Sequence, residues 1–292
     1  MLDSNSSGFS DRYGPWALIA GASMGIGRAF SHEAARRGLN VVMLARGEEL
    51  LRQTAAEVSE EHGVETRPVV ADLADPAIGT VLGAATDDLE IGLFVYNAAI
   101  AMHGRFLDVP LDDQLASVAV NCATPVILCN LFGRPMVARG RGGIVMVSSN
   151  GGIAGAINFG TYNAGKAFEW ILAETLWAEL GERGVDVTTI MVGPTSSPNY
   201  QAFQDTLDPA LTGNRDSDQP LDRARARLTY PSSPEEVAVA SYDALGVRPV
   251  CFSHPDDEFI FRRTLALDRE EAIGVWRGLQ ETSTRTPDRI AR

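Results

Sequence analysis

Six short runs of apolar, largely β-branched residues recur along the chain, at 16–23, 39–46, 67–74, 91–99, 142–149 and 186–194. Each is too short for an ordinary helix and close to continuously hydrophobic, as a strand covered on both faces must be. Between them, 25–37, 47–62, 76–87, 111–139 and 161–182 carry helical periodicity. Strand–helix alternation of this kind predicts an α/β fold. Parallel neighbours need long crossovers, and crossovers turn right-handed, so the strands form a doubly wound parallel sheet with helices on both faces. A last strand near 250–253 would bring the count to about seven.

Further along, Ser233 and Glu236 have the spacing of a capping box for a helix at 233–245, and another helix is expected at 268–281. The chain has 292 residues, no internal repeat and no composition break that would mark a second domain. The expected organisation is a flexible 1–13, one catalytic domain over 14–253, and an extension over 254–292 packing on the same domain. The polar, Pro-rich stretch at about 198–232 reads as a solvated loop with a short helix, or as a lid over the ligand edge.

Ligands of such sheets bind at the carboxyl ends of the strands. The unusual residues fall there: glycines after the first run, Arg46 after the second, Asp72 after the third, Asn97 after the fourth, Ser148 and Ser149 after the fifth, Gly193 after the sixth. In "GASMGIG", Gly21, Gly25 and Gly27 stand between a strand and a helix. Glycines there let backbone N–H groups approach a pyrophosphate, and the helix N-terminus adds partial positive charge. The turn residues Gly21, Ser23, Met24, Gly25, Ile26 and Gly27 are therefore the expected dinucleotide cradle. An NAD binder places a carboxylate at the end of the second strand for the ribose hydroxyls. This chain has Ala45 and then Arg46, which favours a 2′-phosphate and hence NADP(H) over NAD(H).

In "TYNAGKAF", Tyr162 and Lys166 are four residues apart and share one helix face. A free tyrosine ionises near pH 10, and an ammonium one turn away favours the phenolate. In "VAVNCATPVILCN", Pro125 lacks an N–H, so the carbonyl of Asn121, four residues earlier, is expected to lose its helical partner and be free to hold a water.

The sequence resembles the short-chain dehydrogenase/reductase family, in its single-domain, Rossmann-type, NADP-preferring branch. The likeness covers about 14–253. It rests on "GASMGIG", "ADL" at 71–73, "YNAA" at 96–99, Asn121, "VSS" at 147–149, "YNAGK" at 162–166 and "VGPTSSP" at 192–198, in that order. It implies oxidation or reduction of a carbonyl/alcohol pair with NAD(P), and a tetrad that falls on Asn121, Ser149, Tyr162 and Lys166. Ser149, 13 residues before Tyr162, takes the serine role rather than Ser148. The resemblance further implies Asp72 and Leu73 at the adenine, Asn97, Ala98 and Ala99 beneath the adenosine ribose, and Gly193, Thr195 and Ser197 by the nicotinamide, with Tyr162 and Lys166 also binding the cofactor, Lys166 at the nicotinamide ribose. It also implies a water on Asn121 linking Lys166 to solvent. Ala20, Tyr96, Ala99, Gly165, Val192 and Ser197 depart from the family pattern, which makes this a divergent member. Gly165, inside a helix, implies room at the cofactor or at a subunit contact.

The expected reaction is NADPH-dependent reduction of a hydrophobic or bulky ketone or aldehyde, Phe159, Met191, Tyr200 and Phe203 suggesting an apolar cleft. The alternatives are an alcohol or hydroxysteroid dehydrogenase working oxidatively, and, remotely, a non-catalytic NADP sensor. A formal charge of −13 argues against nucleic-acid or anionic-membrane binding. No apolar run approaches membrane length, no secretory signal is legible at the start, and a cytoplasmic location is expected. The three cysteines and four histidines show no metal-ligand spacing, so no metal is expected, and His103 stands where it could line the cleft. The helix over 165–180 has apolar residues around more than one face, which predicts a homodimer or homotetramer.

Overall fold

The computed structural model describes residues 4–197, 200, 204 and 213–280, with side chains from Gly8 onward. Seven parallel strands form one sheet: β1 (Trp16–Ala20), β2 (Asn40–Ala45), β3 (Thr66–Val70), β4 (Ile91–Tyr96), β5 (Gly142–Ser149), β6 (Val185–Val192) and β7 (Val250–Cys251). Their order is β3-β2-β1-β4-β5-β6-β7, so the sheet grows outward in both directions from β1 and β4. Alternate residues feed two cores. Ala17, Ile19, Val41, Met43, Val95 and Val145 face one layer of helices. Leu18, Val42, Leu44, Phe94, Ile144 and Met146 face the other. Near-continuous apolar strands are what two covered faces require.

The helices are α1 (Ser4–Tyr13), α2 (Gly25–Arg36), α3 (Glu48–His62), α4 (Ile78–Ala85), α5 (Leu111–Val118), α6 (Thr124–Arg139), α7 (Gly160–Gly181), α8 (Pro220–Arg227), α9 (Pro234–Ala244), α10 (Pro255–Leu265) and α11 (Arg269–Gln280). Residues 4–13, expected as a flexible lead-in, are the helix α1. Its end is fixed by long-range contacts: Tyr13 Oη donates to Asp186 Oδ2 at 2.7 Å, and the Phe9 ring lies 5.5 Å from that of Tyr242. Such anchors leave no local period in the sequence. The capping box of α9 forms in both directions, Ser233 Oγ accepting from Glu236 N at 3.1 Å and Glu236 Oε2 from Ser233 N at 2.8 Å.

The stretch read as one helix over 111–139 is three pieces. Between α5 and α6 lies a π segment, Ala119–Ala123, in which Thr124 N donates to Ala119 O, five residues back. In that register the carbonyl deprived by Pro125 is that of Val120, and the Tyr96 hydroxyl donates to it. By length and composition alone, Leu111–Arg139 would suffice to cross a membrane, but 44% of its most apolar window is buried in the fold. Short apolar runs hid this stretch from the sequence reading.

The C-terminal helices close the β6–β7 side. Ile153, Met191, Ala224, Ile260, Phe261 and Trp276 share a third core cluster, which brings α8, α10 and α11 against the sheet end.

Candidate active site at the carboxyl edge of the sheet

Parallel register lines up the strand ends. Ala20 pairs with Leu44 on one side and Tyr96 on the other, so the glycine turn, Arg46 and Asn97 meet at the point where the strand order reverses. Crevices open at such points. Gly21 has φ +82°, and a Cβ on Gly27 would stand 1.8 Å from Gly21 O, so the turn folds onto the helix start only with glycine at both. Asn97 Nδ2 donates to Gly21 O at 3.0 Å and pins the turn to β4. Met24 stands at the N-cap of α2 with no side-chain cap, which leaves the first-turn N–H groups of Gly25, Ile26 and Gly27 for a ligand. Ser23 O is taken by Thr54 Oγ1 at 3.0 Å. An uncapped helix start behind a glycine turn fits a pyrophosphate.

Around this cradle, Arg46 is exposed at the end of β2. Glu48 beside it is taken by Arg52, Nε to Oε1 at 2.9 Å, and among the described residues Arg46 makes no ion pair. Asp72 is exposed, its Oδ1 accepting from Ala74 N at 2.9 Å, while Leu73 is buried behind it. Ala98 touches the turn, since a Cβ on Gly21 would lie 3.0 Å from its Cα. Ala99 is exposed at the mouth. Beyond β6, Thr195 Oγ1 donates to Gly193 O at 3.1 Å, and Ser197 Oγ accepts from Tyr200 N at 3.0 Å.

Gly193 has a partner that sequence reading missed. A Cβ there would fall 2.0 Å from Asp257 Oδ1 on α10. Asp257 is fully buried and holds the equally buried Arg227 through two bonds of 3.1 Å. Arg227 in turn donates to Ser232 Oγ at 2.6 Å. Ser232 bridges to Thr195. Burial pushes the Asp257 carboxyl up to about 6 against the pull of Arg227.

The tetrad candidates come from β5, the π segment and α7. Tyr162 is half-buried, its ring centre 5.9 Å from Lys166 Nζ. Lys166 Nζ donates to Val147 O at 2.7 Å and to Glu169 Oε2 at 2.7 Å. Ser149 Oγ donates to Val192 O at 3.2 Å and accepts from Gly151 N at 3.1 Å, so it also caps the short 3-10 turn Asn150–Gly152. Ser148 is buried and donates to Lys166 O at 2.6 Å. Asn121, wholly buried, clasps Ile100 from both sides: Oδ1 accepts from Ile100 N and Nδ2 donates to Ile100 O, each at 2.9 Å. A Cβ on Gly165 would come 2.6 Å from the Cβ of Asn121. The room at Gly165 is therefore for Asn121, at neither the cofactor nor a subunit contact.

The cleft candidates separate. Phe159 stacks between His103, 4.8 Å away, and Tyr162, 6.1 Å away. Met191 is fully buried in the core and faces no cleft. Tyr200 Oη donates to Leu228 O at 2.8 Å. Phe203, much of the stretch 198–212 and the end of the chain lie outside the described residues. The histidines are also less scattered than the sequence suggests: His32 Nδ1 lies 3.2 Å from His62 Nε2, an imidazole–imidazole hydrogen bond between α2 and α3, with Glu61 beside them. His254 caps α10.

Residues 15–208 match the short chain dehydrogenase family. The chain is 38% identical over 189 residues to the 7beta-hydroxysteroid dehydrogenase of Collinsella aerofaciens, covering 65% of this chain and 72% of that protein. A solved structure described as giving insights into 7beta-hydroxysteroid dehydrogenase stereoselectivity superposes with a TM-score of 0.79 at 31% identity, over 91% of this chain and 98% of that one. A short-chain dehydrogenase from Sphingobium yanoikuyae, solved with NADPH, gives 0.69 at 25% identity over 94% and 99%. This chain belongs to the short-chain dehydrogenase/reductase family: it is an NAD(P)-linked oxidoreductase of the carbonyl/hydroxyl pair on the Rossmann-type fold described above.

Proposed function

We propose that the protein reduces the carbonyl of a hydrophobic or bulky small molecule with NADPH, Tyr162 giving the proton. The observation that carries this reading is the half-buried Tyr162 beside the Lys166 ammonium at the carboxyl edge, after β5 and with only β4 between that strand and β1 of the glycine turn. When bound, the nicotinamide cofactor supplies a hydride. Gly21, Ser23, Met24, Gly25, Ile26 and Gly27 would hold its pyrophosphate, Arg46 a 2′-phosphate, Asp72 and Leu73 the adenine, Asn97, Ala98 and Ala99 the ribose, and Gly193, Thr195 and Ser197 the nicotinamide side. Ser149 donates to the substrate carbonyl oxygen and holds it at the Tyr162 hydroxyl. Tyr162 protonates the developing alkoxide, and Lys166 stabilises the phenolate left behind. Asn121 keeps Ile100 and the π segment in place behind them.

The similarity to 7beta-hydroxysteroid dehydrogenases supports a steroid-sized substrate and a second reading, oxidation of the corresponding alcohol. The same residues serve both directions. Three free cysteines, two of them buried, suit a reducing cytoplasm. Pairing of subunits would cover the apolar groove of about 510 Å³ between α6 and α7, lined by Val126, Gly133, Leu172, Leu176 and Leu180, as a homodimer or homotetramer.

The test measures NADPH and NADH oxidation against aliphatic, aromatic, thioester and steroid ketones, for wild type and Tyr162→Phe. The expected result is faster turnover with NADPH, and a loss of at least about a hundredfold in the variant, the size of a general-acid contribution. Survival of near wild-type turnover in Tyr162→Phe overturns the mechanism. Preference for NADH overturns the role given to Arg46.

A further inference from the structure

Glu169 is the least expected residue near the site. It lies one turn beyond Lys166 on α7, is 0% exposed, and accepts from Lys166 Nζ at 2.7 Å. Its other oxygen, Oε1, is buried with no hydrogen-bond partner among the described residues. A half-satisfied carboxylate in a core is costly, and Val147 O already receives one Lys166 hydrogen. An apolar residue at 169 would pack with less penalty, so stability does not account for the carboxylate.

Its surroundings isolate the pair. Tyr96 faces it from β4 and Cys122 from the π segment, and burial first, then Glu169 itself, raises the pKa of both, which keeps them neutral. Val147 O contributes a carbonyl from β5. The titratable side chain on the far side of Tyr162 is His103, beyond the Phe159 ring, and burial favours its neutral form. Among the described residues, Lys166 and Glu169 are thus the charged pair that bears on Tyr162.

We propose that Glu169 is a positioning residue for the reaction: it draws the Lys166 ammonium down beneath β5 and thereby limits how much positive charge Tyr162 feels. This deepens the reading of Tyr162 and Lys166 given above and rests on it. Two of the three ammonium hydrogens are tied to Val147 and Glu169, while the ammonium stays 5.9 Å from the Tyr162 ring centre. Burial pushes the Glu169 carboxyl up to about 7, against the pull of Lys166, so the restraint is strongest in the upper physiological range.

The sign follows. Removing the negative charge of Glu169 leaves the ammonium uncompensated, which favours the Tyr162 phenolate. The phenolate is the base in oxidation, and the phenol is the acid in reduction. In either direction the limb of the kcat/KM profile that belongs to Tyr162 moves to lower pH. Seven residues of helix separate the two Cα atoms by roughly 10 Å. A unit charge at that separation and an effective dielectric of about 20 is worth about one pH unit.

The experiment records kcat/KM from pH 5.5 to 10.5 for wild type, Glu169→Gln and Glu169→Met, with NADPH binding followed by cofactor fluorescence and folding by circular dichroism. Gln keeps a hydrogen-bonding group without the charge, and Met fills a similar volume without either. The expected result is a limb displaced downward by about one unit in both variants, with NADPH affinity within about threefold of wild type. A limb that coincides with wild type in a folded variant overturns the proposal, and so does a displacement to higher pH. If neither variant folds, Glu169 is a folding requirement and the tuning role is likewise overturned. The parent reading fails separately, through Tyr162→Phe retaining activity, whatever the Glu169 variants do.

Discussion

Asn121 and Gly165 show how one contact can fix several candidate functional groups. Asn121 spends its amide on Ile100, behind the β4 end, while its Cβ presses on the helix that carries Tyr162 and Lys166. Gly165→Ala forces a methyl to 2.6 Å from that Cβ, where both sides are backbone-anchored. Overpacking of this kind costs about 1–3 kcal/mol, and helix propensity returns only about 1. The expected outcome is a lower thermal midpoint and kcat/KM reduced at least tenfold, since Tyr162 and Lys166 lie on either side of the displaced backbone; differential scanning calorimetry and steady-state kinetics check the two parts. At this scale the sequence was partly legible. Tyr162, Lys166 and Ser149 announce themselves by spacing and by place after a strand. Glu169 does not, because a glutamate on a helix ordinarily faces water, and only the packed fold shows it sealed against β4 and β5.

Elements were legible where hydrophobic period alone decides them, as for β1 to β6, and illegible where distant partners do. α1 depends on Asp186 and Tyr242, and the break between α5 and α6 depends on Tyr96 reaching Val120 O. α10 is the sharpest case. Its first turn, "PDDE", reads as an ordinary acidic helix start, yet Asp257 is buried against Arg227 and Gly193. Asp257→Ala leaves the Arg227 guanidinium buried without its carboxylate, a loss of about 3–5 kcal/mol. Urea unfolding checks this as a lower midpoint at unchanged slope. NADPH affinity is expected to weaken as well, because Thr195 and Gly193 lose their backing.

For the molecule as a whole, α7 decides what remains uncovered. One face packs on the sheet and a second meets α10, the Trp170 ring 5.1 Å from Phe261. Phe168 and Ile171, 38% and 52% exposed, point outward on neighbouring positions of the helix, and Trp177, 45% exposed, lies on the Trp170 side. Large apolar side chains left exposed on one helix fit the subunit pairing proposed above. Ile171→Glu removes apolar area there without touching the core. Multi-angle light scattering is expected to show a dimer or tetramer for wild type and a halved or quartered mass for the variant at micromolar concentration; equal masses for both exclude this face.

The seating of Gly193 against Asp257 also bears on the order in which the protein becomes competent during synthesis. The glycine turn and every strand through β6 precede α10 in the chain. A nascent chain that has completed six strands still lacks the carboxylate that orders Arg227, Ser232 and the loop after β6. The loop after β6, where the nicotinamide end of the cofactor is proposed to sit, therefore takes its shape only after α10 has been made and docked.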